Sequence, residues 1–274
     1  MKAQQNRTVG SIVAEWIRPQ WPAPVHVRAY VTTRAGSINS PPYDGFNTAD
    51  HVGDELDMVV RNRHALQQYF GWAKPPHWLN QVHGTRVDEL LQHCEERGGN
   101  LEPSSSHLHA DEPVIDADAC VTNALSVPCA IHTADCLPVF FSNEKGSRVA
   151  LAHAGWRGLL QGVLENTLAC FDPEEFVYAW LGPAISQAHF EVGGEVFQQF
   201  VSNDIAAERA FTATSDGKYL CDLYAIARQR LESGGRCAVY GGEYCTFKDP
   251  RFFSYRQEPV TGRLLSLIWI DASQ

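Results

Sequence analysis

Residues 129–158, CAIHTADCLPVFFSNEKGSRVALAHAGWRG, constrain the fold more than any other stretch of the chain. They hold apolar runs at 130–133, 137–141 and 148–153, each of strand length and each broken by small or turn-forming residues. Three such runs in thirty residues call for a sheet. Cys136 closes one break, and His153 ends the last run just before Gly155, Trp156, Arg157 and Gly158 open a helix. A thiol and an imidazole at strand ends, beside a glycine turn, are placed to share a site rather than to fill a core.

The rest of the chain supplies partners for that sheet. Residues 25–33 (VHVRAYVTT) alternate and are β-branched, which predicts a strand, and 77–83 (HWLNQVH) and 86–91 predict two more. Between them, 34–53 is dense in Gly, Pro, Asn, Asp and Ser and reads as a long loop of the functional kind. Asp54 or a neighbour caps a helix to Phe70, stopped by Gly71. A helix from Arg157 carries its apolar face through Leu160, Val163, Leu164, Thr167, Leu168 and Phe171. Residues 191–201 and 220–231 predict helices, and 177–181, 238–240, 252–255 and 265–270 predict strands. With no repeat and no linker, the mixture predicts one α/β (α+β) domain over 25–274, preceded by an irregular lead-in at 1–24. Residues 92–114 mix charge, Gly, Ser and Pro without a period, which predicts an exposed insertion with His93, Cys94, His107 and His109 on a polar loop.

Composition narrows the partners. A 274-residue chain with 44% hydrophobic and 20% charged residues has an ample core, and its net charge of −10 provides no field for nucleic acid or an anionic membrane. A small anionic substrate is still accessible to a local arginine pocket. The N-terminus lacks the apolar core of a secretory signal and no apolar run spans a bilayer, so a cytoplasmic protein is expected. The eight cysteines include no Cys-x-x-Cys pair, which excludes zinc ribbons and thioredoxin-type redox motifs. Pro128-Cys129 is followed by Ala130, Ile131 and His132, so no Pro-Cys-x-x-Cys occurs, which excludes the zinc base deaminase pattern.

Two chemistries fit the leading residues. His83, Cys136 and His153 each end a predicted strand and each is followed closely by Gly or Pro; imidazole and thiolate are ligands that zinc prefers, and three of them leave a position open. Alternatively Cys136 is a nucleophile and His153 its base, with Asp135 orienting a histidine. The sequence separations match no local zinc motif, and ordinary buried or surface residues remain a third reading. Arg34, Arg63 and Arg157 are candidates for gripping phosphate or carboxylate, Arg157 with the added help of a helix start.

The runs Asn80-Gln81-Val82-His83-Gly84, Thr133-Ala134-Asp135-Cys136-Leu137-Pro138 and Ala152-His153-Ala154-Gly155-Trp156-Arg157-Gly158 together strongly resemble the YfiH-type, laccase-domain-containing family. The likeness extends through Thr32-Thr33-Arg34, His51-Val52-Gly53-Asp54, Asn62-Arg63, Leu181 to Ile185, Cys245-Thr246 and Phe252 to Arg256, so it covers nearly all of 25–270. The resemblance implies mixed sheets layered with helices in a cysteine hydrolase-like fold. It also implies a metal site, usually zinc, at His83, Cys136 and His153, with Arg63 near it as a catalytic residue. Arg34, Asn47, Arg157 and Trp156 are the expected substrate contacts, and Trp156 or Tyr43 could stack on a purine.

Members of that family are described as purine nucleoside phosphorylases with adenosine deaminase activity, as copper-binding polyphenol oxidases, and as peptidoglycan editing factors that release serine from a UDP-muramic acid precursor. An open zinc with an arginine-held phosphate suits the first description and copper is the competing ion. The amidase is the strongest alternative, and a non-catalytic scaffold is a fourth. Departures at Ser37-Ile38-Asn39, Asn47 to Asp50 and Gln257-Glu258-Pro259 touch pocket-shaping loops, so they bear on substrate more than on metal. Monomer and homodimer are equally compatible with the sequence.

Overall fold

A computed structural model describes residues 7–9, 12–14, 16–36, 39–90 and 114–272. The insertion, with His93, Cys94, His107 and His109, lies outside the described residues except for Val114.

Two sheets form the body. The first has six strands in the order Cys237–Gly241, Val177–Leu181, Leu137–Asn143, Val149–Ala154, Ala119–Thr122, Val87–Leu90. Its central pairings are antiparallel and its two outermost pairings are parallel. The second has four antiparallel strands, Trp16–Ile17, Val27–Thr32, Leu264–Ile270 and Cys129–Thr133. The lead-in before residue 25 is therefore not wholly irregular, because Trp16 and Ile17 pair with Thr32 and Val31.

The continuous apolar run at 137–141 has a direct physical cause: both faces of that strand are covered. Phe140, with Val149, Leu151, Cys120 and Trp180, packs toward the four-stranded sheet and meets Val31, Ile131 and Ile268. Val139 and Phe141, the alternate residues, pack with Leu159, Leu164, Phe200, Leu223 and Ile226 on the helical side. A strand's side chains alternate faces, so a strand between two layers needs apolar residues at every position. Helix Leu56–Phe70 covers the outer face of the four-stranded sheet through Leu66, which shares a core with Tyr30, Leu265, Leu267 and Trp269. The order of layers is helix, sheet, sheet, helices, a mixed α+β architecture. Gly71, with φ 69°, closes that helix as expected; its N-cap is Glu55 rather than Asp54, whose carboxylate serves Asn39 and Asn47.

Four expectations shift. Of 77–83 only Leu79–Asn80 is a strand, paired in parallel with Ile115–Asp116, while His77 bridges Cys129. The segment then turns, because the N–H groups of Val82, His83 and Gly84 all go to one carboxylate, Asp118, instead of a ladder. The helix from Arg157 is two helices, Trp156–Gln161 and Val163–Ala169, parted at Gly162 in a left-handed conformation, φ 99°. Glu191–Val192 is a strand pairing with Tyr219–Cys221, so the flanking helices begin only at Gly194 and Leu223. Residues 252–255 form turns that bury Phe252 and Phe253, not a strand.

Candidate metal centre

The sheet register assembles the centre. Leu137 pairs with Ala154 and Pro138 with His153, so Cys136, one residue before that strand, comes level with Gly155 and diagonal to His153. The sixteen residues between the thiol and the imidazole, 137–152, are spent on the two strands and the turn joining them. His83 arrives from the other side, on the loop after Leu79–Asn80, in a left-handed conformation with φ 60°. The three possible ligand atoms lie within 4.8 Å of one another, with Cys136 Sγ 4.0 Å from His83 Nε2. The two imidazole rings meet nearly edge to face, their centroids 4.8 Å apart at 74°. His153 is buried, Cys136 half-buried and His83 exposed, so the group opens to solvent on one side.

Asp118 holds the arrangement together. Its carboxylate accepts the N–H groups of Val82, His83 and Gly84 at 3.2, 3.0 and 2.6 Å, and lies 2.7 Å from His153 Nδ1. One buried side chain thus fixes the loop that carries one ligand and the ring of another. Burial opposes its charge, but the His153 contact and the Gly84 and His83 N–H groups bring its pKa below the ordinary value. An ionised Asp118 accepts the hydrogen bond of His153 Nδ1–H and leaves His153 Nε2 to face the centre.

Burial pushes Cys136 up, yet His153 and then His83 more than offset it and bring the thiol to about 6. Burial pulls His153 down, while Cys136 and Asp118 raise it to about 9. Between those values the metal-free pair is a thiolate beside an imidazolium. Asp135 does not orient a histidine: at φ 87° its carboxylate accepts from Thr246 Oγ1 at 2.6 Å and from the Arg256 N–H at 2.7 Å, which braces the turn before Cys136.

The donor set fits a metal ion. Ligand atoms on tetrahedral zinc stand about 3.3–3.8 Å apart, so small side-chain rotations close this group. Gly155 completes the fit, because a Cβ there would lie 3.0 Å from His83 Cδ2 and 3.1 Å from Cys136 Sγ. That space is kept clear of protein beside the ligands.

Comparison with known proteins gives the family and the fold. A family model described as multi-copper polyphenol oxidoreductase laccase matches residues 28–271. The chain belongs to the YfiH-type laccase-domain family. It is 45% identical over 260 residues to purine nucleoside phosphorylase YfiH of Escherichia coli K12, covering 94% of this chain and 100% of that protein. It is 43% identical to purine nucleoside phosphorylase PA4543 of Pseudomonas aeruginosa, covering 93% and 98%. Among solved structures, Neisseria meningitidis protein NMB0706 superposes with a TM-score of 0.81 at 43% identity, over 94% of this chain and 99% of that one. YlmD from Geobacillus stearothermophilus does so with 0.76 at 26%, over 97% and 98%.

Against this YfiH-type frame, the remaining candidates separate. Arg63 makes no hydrogen bond or ion pair to the three ligands; it donates to the Thr48 carbonyl at 2.8 Å, pairs with Asp50 at 3.0 Å and lies 4.5 Å over Trp78. Trp78 stacks on His132 in turn, 5.3 Å between centroids. Arg34 is held by Asp44 and Glu258 at 3.0 and 3.3 Å, which compensates its charge. Asn47 is fully buried, and its amide is engaged by the Ala49 backbone, Asp54 and the Arg263 N–H, which makes it a brace between loops. Trp156 and Arg157 directly follow Gly155, with the exposed guanidinium 4.3 Å over the indole. Asp118 and Gly155 were missed as functional residues. The signal for Asp118 was a carboxylate heading an apolar strand, Asp118-Ala119-Cys120-Val121, where a buried charge needs a purpose.

Proposed function

We propose that this protein is a zinc-dependent purine nucleoside enzyme of the bacterial cytoplasm, its 25–274 body acting as one catalytic domain. It phosphorolyses adenosine, inosine, guanosine and methylthioadenosine, and deaminates adenosine when phosphate is absent. The observation that carries this reading is the convergence of His83, Cys136 and His153 with ligand atoms inside 4.8 Å around the space left by Gly155. The names of the Escherichia coli and Pseudomonas aeruginosa relatives support the substrate class.

His83, Cys136 and His153 hold the ion, Cys136 as thiolate and His153 through Nε2. Zinc held by three protein ligands supplies a Lewis-acidic position that polarises a coordinated oxygen. Asp118 keeps the proton on His153 Nδ1 and holds the His83 loop in place. Trp156 and Arg157 offer a flat face and a cation next to the centre, suited to a base and to an anion, and Arg34 and Arg63 supply further cations to the loop 34–63. The soft donors accept copper as well, but a multi-copper oxidase needs several centres, and the described residues form one His and Cys group of this kind.

Metal analysis joined to chromatography of products tests the proposal. About one zinc per chain is expected, with adenosine giving adenine in the presence of phosphate and inosine in its absence. Cys136→Ser loses both metal and turnover. Unchanged nucleosides together with serine release from a UDP-muramoyl-serine precursor would replace this reading with the amidase. Full metal and activity in Cys136→Ser would overturn the site.

A further inference from the structure

Arg263 stands next to the centre with no role so far. Leu264 pairs with Thr133 in the four-stranded sheet, and continuing that register by one residue sets Arg263 against Ala134, at the start of the turn that carries Cys136. The buried Asn47 side chain pins its backbone N–H at 3.1 Å. Its Nη1 donates to the Thr261 and Gly262 carbonyls at 2.9 and 3.0 Å, and the exposed Tyr255 ring lies 5.9 Å from the guanidinium carbon.

Position, not the want of a carboxylate, makes Arg263 informative: Arg148, Arg228 and Arg236 are likewise half-buried on backbone carbonyls without a carboxylate among the described residues, but Arg263 stands opposite the turn that carries Cys136. Arg28, Arg34, Arg63, Arg230 and Arg251 each have a carboxylate within 3.3 Å. Arg263, half-buried, has none among the described residues, only neutral carbonyls of its own loop. A partly desolvated guanidinium whose Nε and Nη2 make no hydrogen bond among the described residues is costly unless a ligand completes it. Its charge is felt around the centre: burial lowers its pKa while Cys136, Tyr255 and Asp135 raise it, and it adds to the burial that lowers His51 and His132.

We propose that Arg263, with Tyr255 beside it, is the oxyanion-binding residue of this site, taking a phosphate or carboxylate group in two-pronged fashion next to Cys136. The inference rests on the reading of the His83, Cys136 and His153 centre as the place of reaction. Phosphate would be a free co-substrate; a carboxylate would be part of the substrate itself.

Arg263→Gln and Arg263→Lys, in the metal-loaded full chain, test it. Metal content, kcat and KM for inorganic phosphate are measured, together with calorimetric binding of inorganic phosphate and of N-acetyl-L-serine as a carboxylate probe. The glutamine variant is expected to keep its metal and to raise the phosphate KM and Kd by about tenfold or more, with kcat much less affected and the lysine variant between. Arg263-dependent binding of the carboxylate probe without any phosphate response assigns the anion to the substrate. Equal affinity of wild type and both variants for both probes overturns the inference. If the glutamine variant loses metal, the lysine variant decides: metal retained with weaker anion binding supports the proposal, and metal lost from both makes Arg263 structural. Failure of the nucleoside reading looks different, with adenosine untouched by a wild type that still binds an oxyanion through Arg263.

Discussion

At the scale of single residues, the centre works by mutual compensation of charge. Cys136 and His153 each sit where burial alone would neutralise them, and each is kept charged by the other, with Asp118 behind the imidazole. The sign for the thiol follows: Cys136 is a thiolate above about 6 and is protonated as pH falls through that value. Alkylation of Cys136 in metal-stripped protein, followed by peptide mass spectrometry, should therefore rise through a midpoint near 6 rather than near the ordinary value of 9.0. His153→Asn removes the main compensating charge, so its midpoint should move toward that ordinary value; an unchanged midpoint would mean that His153 is not the cause. Cys120, Cys221 and Cys237, whose thiols burial pushes up, should stay unreacted across this range.

At the scale of elements, two glycines do different jobs on either side of a six-residue helix. Gly155 caps it at an ordinary extended φ of −66° and is needed for space, whereas Gly162 ends it at φ 99° and is needed for conformation. At Gly162 the nearest atom to an added Cβ is Glu165 Oε2 at 3.6 Å, ordinary contact, so the cost of Gly162→Ala is backbone strain alone. That cost is about 1–2 kcal/mol, and thermal unfolding should fall by about 2–4 °C with the metal content unchanged. A variant as stable as wild type would show that the two helices can merge. The same comparison explains an error of reading. The apolar positions from Leu160 to Phe171 keep a helical period because both short helices press on one core, and periodicity does not register a one-residue break between them. The 77–83 segment erred the other way: it alternates like a strand, but its last N–H groups go to Asp118, a partner thirty-five residues from His83.

For the whole molecule, stability and site share a foundation, since the strand that begins beside Cys136 is the middle of the double-layered core. Phe140, fully buried between the sheets and 5.3 Å from the Trp180 ring, belongs to that strand. Phe140→Ala should destabilise the fold by about 3–5 kcal/mol in denaturant unfolding, and added zinc should recover part of the loss, because binding to the native state alone raises stability. No recovery would separate the core from the centre. No helix among the described residues is long and apolar enough to cross a membrane. The sequence by itself determined the strands around 129–158, the doubly covered 137–141 run, the helix stopped by Gly71 and the trio His83, Cys136 and His153, because these are written in local pattern or in a contiguous motif. Tertiary structure alone decided that Asp118 serves two ligands, that Asn47 is internal bracing and that Arg263 stands opposite the turn carrying Cys136. Each of those depends on a pairing between strands far apart in the chain, and what a polar side chain does is set by which partner the register brings within about 3 Å of it.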